Sequence, residues 1–291
     1  MKPVNFISHI IISMLAILFL LTWNSCEKDV ILELADEEGR YIIVEANLTN
    51  DGDLQWIRLT QSSSYYDVNR GIGLKGASVI IEEEDDLFLF SEAVVDSVDG
   101  FYLQPQISKK LRETTYRLQI TTEDQKTYTA QSTFRPVPEL DSVTVQLNPF
   151  SELGIFEERV YDIFAHFRDL PDEGNFYLFN LYINNQLKTG RPNDKAPVSD
   201  INLEEYVSYA VLSVNERDVN PGDTLTLEIR SISRENFNFY SAFFFQTDLS
   251  GNPFAGAPPA NIPTNLSQGA RGFFQVSAVN KKTIIFERPR D

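Results

Sequence analysis

The sequence lacks most of the side chains that nucleophilic and metal chemistry use. It has one cysteine, which excludes a disulfide within the chain, and beyond residue 25 it has one histidine, His166. Ser-His-Asp, Cys-His and histidine-rich zinc sites need more such residues, or a histidine in a favourable setting. His166 lies in the alternating run 162–168, which is typical of a strand residue with no chemical role. Because no spacing among the 42 acidic residues selects a carboxylate pair, we expect no catalytic residue, no metal and no cofactor, and so no enzyme.

Basic residues are scarce as well. Lys and Arg total 25 against 42 Asp and Glu, giving a formal net charge of −17, and no local basic patch is visible. Such a chain repels polyanions, so nucleic acid is excluded as a partner. The chain is nevertheless 42% hydrophobic, with 21 Phe and 12 Tyr, which indicates a folded core rather than disorder.

Long apolar runs are also missing. The one extended run, 10–23, has about 14 residues, whereas a membrane-spanning helix needs about 20. A basic start at Lys2 precedes it, so we predict a cleavable export signal over residues 1–25. Cys26 follows the small residue Ser25 directly.

This placement of Cys26 looks like a bacterial lipoprotein box, although Trp23 and Asn24 replace the usual Leu and small residue. Acylation of the thiol would explain a lone cysteine and would hold the protein stably at a membrane through several acyl chains. The alternative is an ordinary secretory signal with an incidental thiol, which is a liability in an exported protein.

An acidic tether is predicted over residues 26–39. Its first residues, Glu27, Lys28 and Asp29, resemble the export signal that sends Bacteroidota lipoproteins to the cell surface. We therefore expect an outer-membrane protein, lipid-anchored and facing the cell exterior. The alternative is a solvated tether at the periplasmic face.

From residue 40 onwards the chain shows short alternating runs separated by turn residues, which predicts an all-β, β-rich fold. We expect two antiparallel β-sandwich domains: 40–135, immunoglobulin-like or transthyretin-like, and 142–291. Pro136 and Pro138 interrupt strand pairing and mark a linker over 136–141. The predicted strands are 41–49, 56–60, 77–81, 87–90, 100–103, 115–121, 127–133, 142–147, 160–168, 175–183, 206–214, 225–232, 273–279 and 283–287.

One segment of the second domain has a helical period. Aromatic residues recur at spacings of three and four over 234–248, and Ser233 is available as N-cap, so this segment is the one short helix. Its aromatic stripe is expected to pack on a sheet, with a ligand groove as the alternative. The Pro- and Gly-rich loop 251–272 is either a binding edge or a cover. Its candidate binding residues are Asn252, Phe254, Asn261 and Asn265.

The acidic run Glu82–Asp86 could attract calcium, but it lacks the Asp spacing of a calcium loop. A solvated hairpin tip is the favoured interpretation.

Three tripeptides match the short Asp-Ser/Thr-aliphatic pattern of Bacteroidota O-glycosylation. The candidate acceptors are Ser97, Ser142 and Thr224.

Several stretches, in order along the chain, resemble the Bacteroidota lipoproteins of domain-of-unknown-function family 4249. They are Cys26–Asp29, Tyr41–Asp51, Gly76–Val79, Thr127–Ala130, Val137–Val143, Gly222–Ser233, Gly251–Phe254 and Asn261–Asn265. Such families are commonly encoded beside TonB-dependent transporters, so the resemblance implies a non-enzymatic accessory or ligand-binding subunit with a TonB-dependent β-barrel as partner. The alternatives are a carboxylate-dependent glycan or peptide hydrolase, and a surface adhesin or envelope assembly scaffold.

Overall fold

The computed structural model describes residues 41–52, 54–62, 71–107, 111–153, 156–171, 174–190, 194–200, 205–247 and 261–289. These residues belong to one compact unit. The predicted signal peptide 1–25, the tether 26–39 and Cys26 lie outside the described residues.

The described chain is built from β-strands and contains one α-helix, α1, at Arg234–Thr247. This confirms the β-rich class, with mainly antiparallel sheets and one short helix in the C-terminal part. No helix within the described ranges is long and apolar enough to span a membrane. The strands are β1 Ile42–Thr49, β2 Gln55–Gln61, β3 Ile72–Gly73, β4 Ser78–Glu83, β5 Asp86–Val95, β6 Val98–Gln104, β7 Thr115–Thr121, β8 Thr127–Thr133, β9 Leu140–Leu147, β10 Val160–Arg168, β11 Phe176–Ile183, β12 Gln186–Leu187, β13 Ala196–Ser199, β14 Tyr206–Asn215, β15 Thr224–Ile232, β16 Arg271–Ser277 and β17 Val279–Ile285.

The first sheet has the strand order β16-β1-β2-β6-β5-β4-β7-β8, with β3 added to β2. Its strands alternate as the sequence predicts: on β7, Tyr116, Leu118 and Ile120 are buried and the residues between them are exposed. Because successive side chains of a strand point to opposite faces, one face of the sheet forms a core. Phe274 and Val276 of β16 belong to the same core.

The two ends of this sheet meet, and Asn265 joins them. Its amide nitrogen donates to the carbonyl of Gln131 on β8 (3.0 Å) and of Phe274 on β16 (2.7 Å), while its Oδ1 accepts from the Phe274 N–H (3.0 Å). The hydroxyl of Ser132 accepts from the N–H of Val276 at 2.9 Å. These side chains satisfy backbone groups that no neighbouring strand pairs, and so they close the sheet around its core.

Two further sheets pack on each other and enclose a second core. One has the order β14-β10-β9; the other has β12-β11-β15-β17, with β13 on β11. Phe167 of β10 meets Tyr177 and Phe179 of β11, with ring centroids 5.9 and 6.3 Å apart. All three rings are fully buried, as expected of a sandwich core.

The irregular segment between the strands begins two residues earlier than the predicted linker. Residues 134–139, which include both prolines, have no regular structure, but β9 begins at Leu140, inside the predicted 136–141. Leu140 is buried in the second core, which explains why it extends the strand. The domain limits 40–135 and 142–291 stay predictions.

The pairing of β16 differs from the expected antiparallel arrangement. It joins β1 in parallel, so a strand from the predicted second domain completes the sheet of the first. Gly272 permits this close approach: its φ is +95°, and a Cβ there would clash with the carbonyl oxygen of Val44. The alternation of a strand predicts which residues are buried, not which strand pairs with it.

Helix α1 begins as predicted. The hydroxyl of Ser233 accepts from the N–H of Asn236 at 3.1 Å, which is the N-cap bond. Phe237 packs on Phe176 of β11 and Phe239 on Phe273 of β16, with centroids 5.1 and 5.5 Å apart. The aromatic stripe therefore packs on sheets, as favoured.

The acidic run between β4 and β5 is not a uniform solvated tip. Glu83 is buried and its Oε1 lies 2.6 Å from Nε of Arg112, while Glu84 meets the same guanidinium at 3.1 Å. No cluster of three metal-ligating side chains exists within the described ranges. Arg112 neutralises the carboxylate that the strand alternation turns inward.

We expect Asn265→Ala to lower the free energy of unfolding by about 2–4 kcal/mol, because three hydrogen bonds at the sheet closure lose their partner at about 1 kcal/mol each. Chemical denaturation of the full chain measures this. Asn261→Ala, a change of the same size at an exposed position, should stay within about 0.5 kcal/mol of wild type. Equal losses in the two variants would contradict the role given to Asn265.

Candidate functional site

A large cavity lies between the outer face of β1 and β16 and the sheet of β11, β15 and β17, with α1 as a further wall. Its volume is about 810 Å³, within the range of small-molecule sites. The residues that line it from the first sheet include Ile43, Glu45, Asn47, Trp56 and Arg271. Those from the other sheet and α1 include Tyr182, Lys195, Glu228, Arg230, Lys281, Phe239 and Phe243.

Glu228 of β15 is the centre of a buried polar cluster on the cavity wall. Its Oε1 accepts from Nδ2 of Asn180 (2.7 Å) and from Nε of Arg230, and its Oε2 accepts from Tyr182 (3.3 Å) and Lys281 (3.2 Å). Burial alone would raise the pKa of this carboxyl, but Arg230, Asn180 and Lys281 outweigh it and lower the pKa. Glu228 is therefore held as the carboxylate.

Lys195 reaches the same cluster from just before β13. Its Nζ donates to Oδ1 of Asn180 at 2.6 Å, and the hydroxyl of Thr189 donates to that oxygen at 3.1 Å. Burial, together with the neighbouring Arg230, lowers the pKa of Lys195 to about 8, because a desolvated ammonium is disfavoured. No carboxylate of the described chain lies within 4.0 Å of it, so Lys195 is a cation without an ion pair.

The charge of the cavity lining is opposite to that of the chain. Among the described residues, three carboxylates line the cavity, Glu45, Asp51 and Glu228, and four cations do so, Lys195, Arg230, Arg271 and Lys281. All three carboxylates have partners: Glu45 pairs with Arg58 at 3.5 Å, Asp51 with Lys281, and Glu228 with Arg230 and Lys281. The lining thus carries an excess of one positive charge in a chain of formal charge −17.

The rest of the described lining combines aromatic and aliphatic side chains with uncharged polar ones, among them Asn47, Gln55 and Gln246. Tyr240 of α1 is buried, which raises the pKa of its hydroxyl to about 12. At the rim, Leu54, Trp56 and Leu187 are exposed by 51%, 41% and 43%. The Trp56 ring is held edge-on by Phe101, with centroids 5.6 Å apart. Exposed apolar side chains around a cavity mark a surface suited to binding.

The candidate binding residues of the loop 251–272 have different positions. Asn261 lines the cavity, whereas Asn265 closes the first sheet and is used structurally. Asn252 and Phe254 lie outside the described residues.

The candidate glycosylation acceptors all lie at or near the surface. Ser97 is in an exposed turn, Ser142 is exposed on β9, and Thr224 is half-buried and donates to Oδ1 of Asn184 at 3.3 Å. Their modification stays a prediction. Glu27, Lys28 and Asp29 lie outside the described residues with Cys26.

His166 lies on β10, where its Nε2 is 2.8 Å from the Thr144 hydroxyl on β9. It does not line the cavity.

The sequence analysis missed the charged residues of the cavity. A signal was present in β15, where Glu228 and Arg230 alternate with the apolar residues Leu227 and Ile229 in a largely buried strand. Charges on the same face of a buried strand are costly, so they usually mark a site or a paired cluster. Lys195 gave no such signal.

This architecture defines the chain as a β-rich protein with a cavity between two sheets. The family model for "Domain of unknown function (DUF4249)" matches residues 27–283, and the chain belongs to that family. No curated protein sequence matches the chain.

Solved structures are similar over about two thirds of the chain. A cytokine receptor complex is 12% identical and covers 67% of this chain and 85% of its own, with a TM-score of 0.23. A chicken TCR is 11% identical and covers 66% and 93%, with a TM-score of 0.27. Scores this low carry no argument about the function of this chain.

Lys195 should make stability depend on pH. Its pKa is about 8 in the folded protein and 10.5 as an unperturbed group, so between these values unfolding takes up a proton. The contribution of Lys195 to the free energy of unfolding therefore rises from pH 8 to pH 10.5. Denaturation of wild type and Lys195→Met across this range should show the rise reduced in the variant. Lys282→Met, on an exposed residue of β17, is the control, and equal slopes in wild type and Lys195→Met would contradict the assignment.

Proposed function

We propose that this chain is a non-enzymatic ligand-binding protein of the bacterial cell envelope, and that the cavity between β1, β16 and β15 is its binding site. The observation that carries the proposal is the cavity itself, which has about 810 Å³ and combines a mainly apolar surface with polar groups from both sheets. A concave site of this size, with a mainly apolar surface and oriented polar groups, is typical of small-molecule sites.

Binding fits the cavity better than hydrolysis does. A carboxylate hydrolase needs a carboxylic acid that keeps its proton near neutral pH, with a second carboxylate beside it. Glu228 has a lowered pKa and is engaged by Arg230, Asn180 and Lys281. The other two carboxylates of the lining, Glu45 and Asp51, are occupied by Arg58 and Lys281. No specific observation favours the adhesin alternative.

In the cell, the proposal places this protein on the outer membrane as a lipoprotein anchored through Cys26. It acts there as an accessory subunit that passes ligand to a TonB-dependent β-barrel. The export signal over 1–25 and the acidic residues after Cys26 support this location, as does the resemblance given above. The orientation towards the cell exterior is part of the proposal.

A side chain that fills the cavity should abolish ligand binding. Asn47 lies on β1 and lines the cavity, so Asn47→Trp replaces free volume with an indole. In a thermal-shift screen of small molecules, a ligand that stabilises wild type should not stabilise this variant. Gln119→Trp, on the exposed face of β7, is the matched control and should respond as wild type does. A ligand that stabilises all three proteins equally would place binding elsewhere.

Cys26→Ser should abolish labelling by a clickable palmitate analogue and move the protein to the soluble fraction. Wild-type protein solubilised from the outer membrane should co-purify a large β-barrel. An unlabelled wild-type protein would refute lipidation, and recovery of the labelled lipoprotein alone would refute docking on a transporter.

A further inference from the structure

The electrostatics of the cavity point to the chemical class of its ligand, an inference that rests on the proposed binding function. Lys195 is the key residue. An ammonium has three donors, and within the described residues Lys195 uses one, to the amide oxygen of Asn180. A buried ammonium is costly unless it is paired. Here the described protein supplies no carboxylate within 4.0 Å.

Arg230 adds a second cation at the same place. Its side chain is 19% exposed, and Glu228 is its one carboxylate partner among the described residues. Glu228 also pairs with Lys281. Glu228 is therefore shared by Arg230 and Lys281, and Asp51 also pairs with Lys281. Asp194 and Glu228 act on Lys195 through space, but Lys195 is the cation of this corner that no carboxylate among the described residues approaches within 4.0 Å.

The negative net charge of the whole chain determines which anions can reach Lys195. At a formal charge of −17, most positions on the surface repel anions. At physiological ionic strength such repulsion is screened beyond about 8 Å, whereas charges inside a cavity are screened much less. A small anion can therefore enter and meet the cations, while an extended polyanion would face the surrounding acidic surface.

The apolar part of the cavity lining suits an apolar group on the ligand. Trp56 and Phe245 both have exposed rings, but of the two only Trp56 lines the cavity. Phe239 and Phe243 of α1 and Leu187 complete an apolar surface. Aromatic faces bind the flat apolar faces of sugar, aromatic and aliphatic groups by dispersion and by exclusion of water.

We propose that the cavity binds a small organic anion, with its carboxylate, phosphate or sulfate at Lys195 and Arg230 and its ring against Trp56 and the α1 aromatics. The charged group completes the pairing that the protein leaves open at Lys195. The ring portion covers the apolar rim. The shared chemistry is an anion joined to an apolar face, and the ring can be a sugar or an aromatic.

The test compares ligands that differ only in charge. The sugar pair is methyl galacturonoside, which carries one carboxylate, and its neutral methyl ester, and the aromatic pair is 2-naphthoate and 2-naphthamide. Affinities are measured by isothermal titration calorimetry on the non-acylated full chain, Cys26→Ser. We expect the anion of at least one pair to bind at least tenfold more tightly than its neutral partner, as one charge-assisted hydrogen bond gives. Which pair responds identifies the ring.

Variants locate the charged group. Lys195→Met should lower the affinity for the anion by about tenfold or more and leave the neutral partner unchanged, and Lys195→Arg should restore part of the loss. Lys282→Met removes the same charge from an exposed position outside the cavity and should have no effect. Circular dichroism confirms that each variant is folded. If Lys195→Met is unfolded, Lys281→Met carries the test, because it removes a cavity cation and leaves Glu228 paired with Arg230.

The outcomes separate this inference from the function on which it rests. If neutral and anionic partners bind equally and Asn47→Trp blocks both, the cavity binds ligands but has no preference for anions, and the inference is wrong. If an anion binds and Lys195→Met binds it as tightly as wild type does, the assigned position is wrong. If no member of either pair binds, ligand binding by the cavity and the anion preference both fail.

Discussion

The parallel pairing of β1 with β16 is the constraint on which the rest of this structure depends. It joins residues 43–49 to residues 271–277, across most of the chain. It requires a glycine at position 272, where the backbone has a positive φ and approaches Val44 closely. Beyond β16, the backbone of Ala278 bonds to Ser231 of β15 through both its N–H and its carbonyl, and β17 then pairs with β15. The connection from β16 to β17 thus links the two sheets, and the cavity lies between them.

The polar cluster at Glu228 is better understood as a site than as a source of stability. Removing charges from water costs several kcal/mol per ion, and a buried ion pair commonly contributes no more than a well-packed apolar pair would. Leu or Met at positions 195, 228 and 230 would match the apolar neighbours on β11 and β15. The chain instead keeps three charged groups there, one of them a lysine whose pKa burial lowers. This arrangement is the basis for the proposal that the cavity binds an anion.

Much of the fold could be predicted from the sequence, because the residues of a half-buried strand alternate between apolar and polar. The strands 115–121, 127–133 and 160–168 have the same limits in the structure, and Ser233 caps the helix as expected. The partners of the strands could not be predicted in the same way. Strand β16 shows an inward-facing pattern that any sheet could accept. Its pairing with β1 depends on the close backbone approach at Gly272, and its position beside β8 depends on Asn265, which bonds to Gln131, 134 residues earlier in the chain.

The candidate site was harder to predict, and for a different reason. A cavity is made of residues that are distant in sequence: Trp56, Lys195, Glu228 and Lys281 belong to different strands or loops. Spacing along one segment cannot reveal such a set. The loop 251–272 was singled out for its composition, and of its described candidates Asn261 lines the cavity whereas Asn265 satisfies backbone groups. An asparagine side chain can bind a ligand or form hydrogen bonds with the main chain, and the sequence alone does not distinguish the two roles.

The closure of the first sheet by β16 also orders the events of folding. The ribosome releases β1 long before β16, so during synthesis the edge of β1 and the core around Val44 and Leu48 stay open until the last tenth of the chain has emerged. Pairings between segments so far apart in sequence form slowly, since loop closure costs entropy before the contact forms. An unpaired strand edge attracts other strands in the meantime. Until its C-terminal strands are synthesised, the nascent chain therefore exposes an unpaired edge at β1.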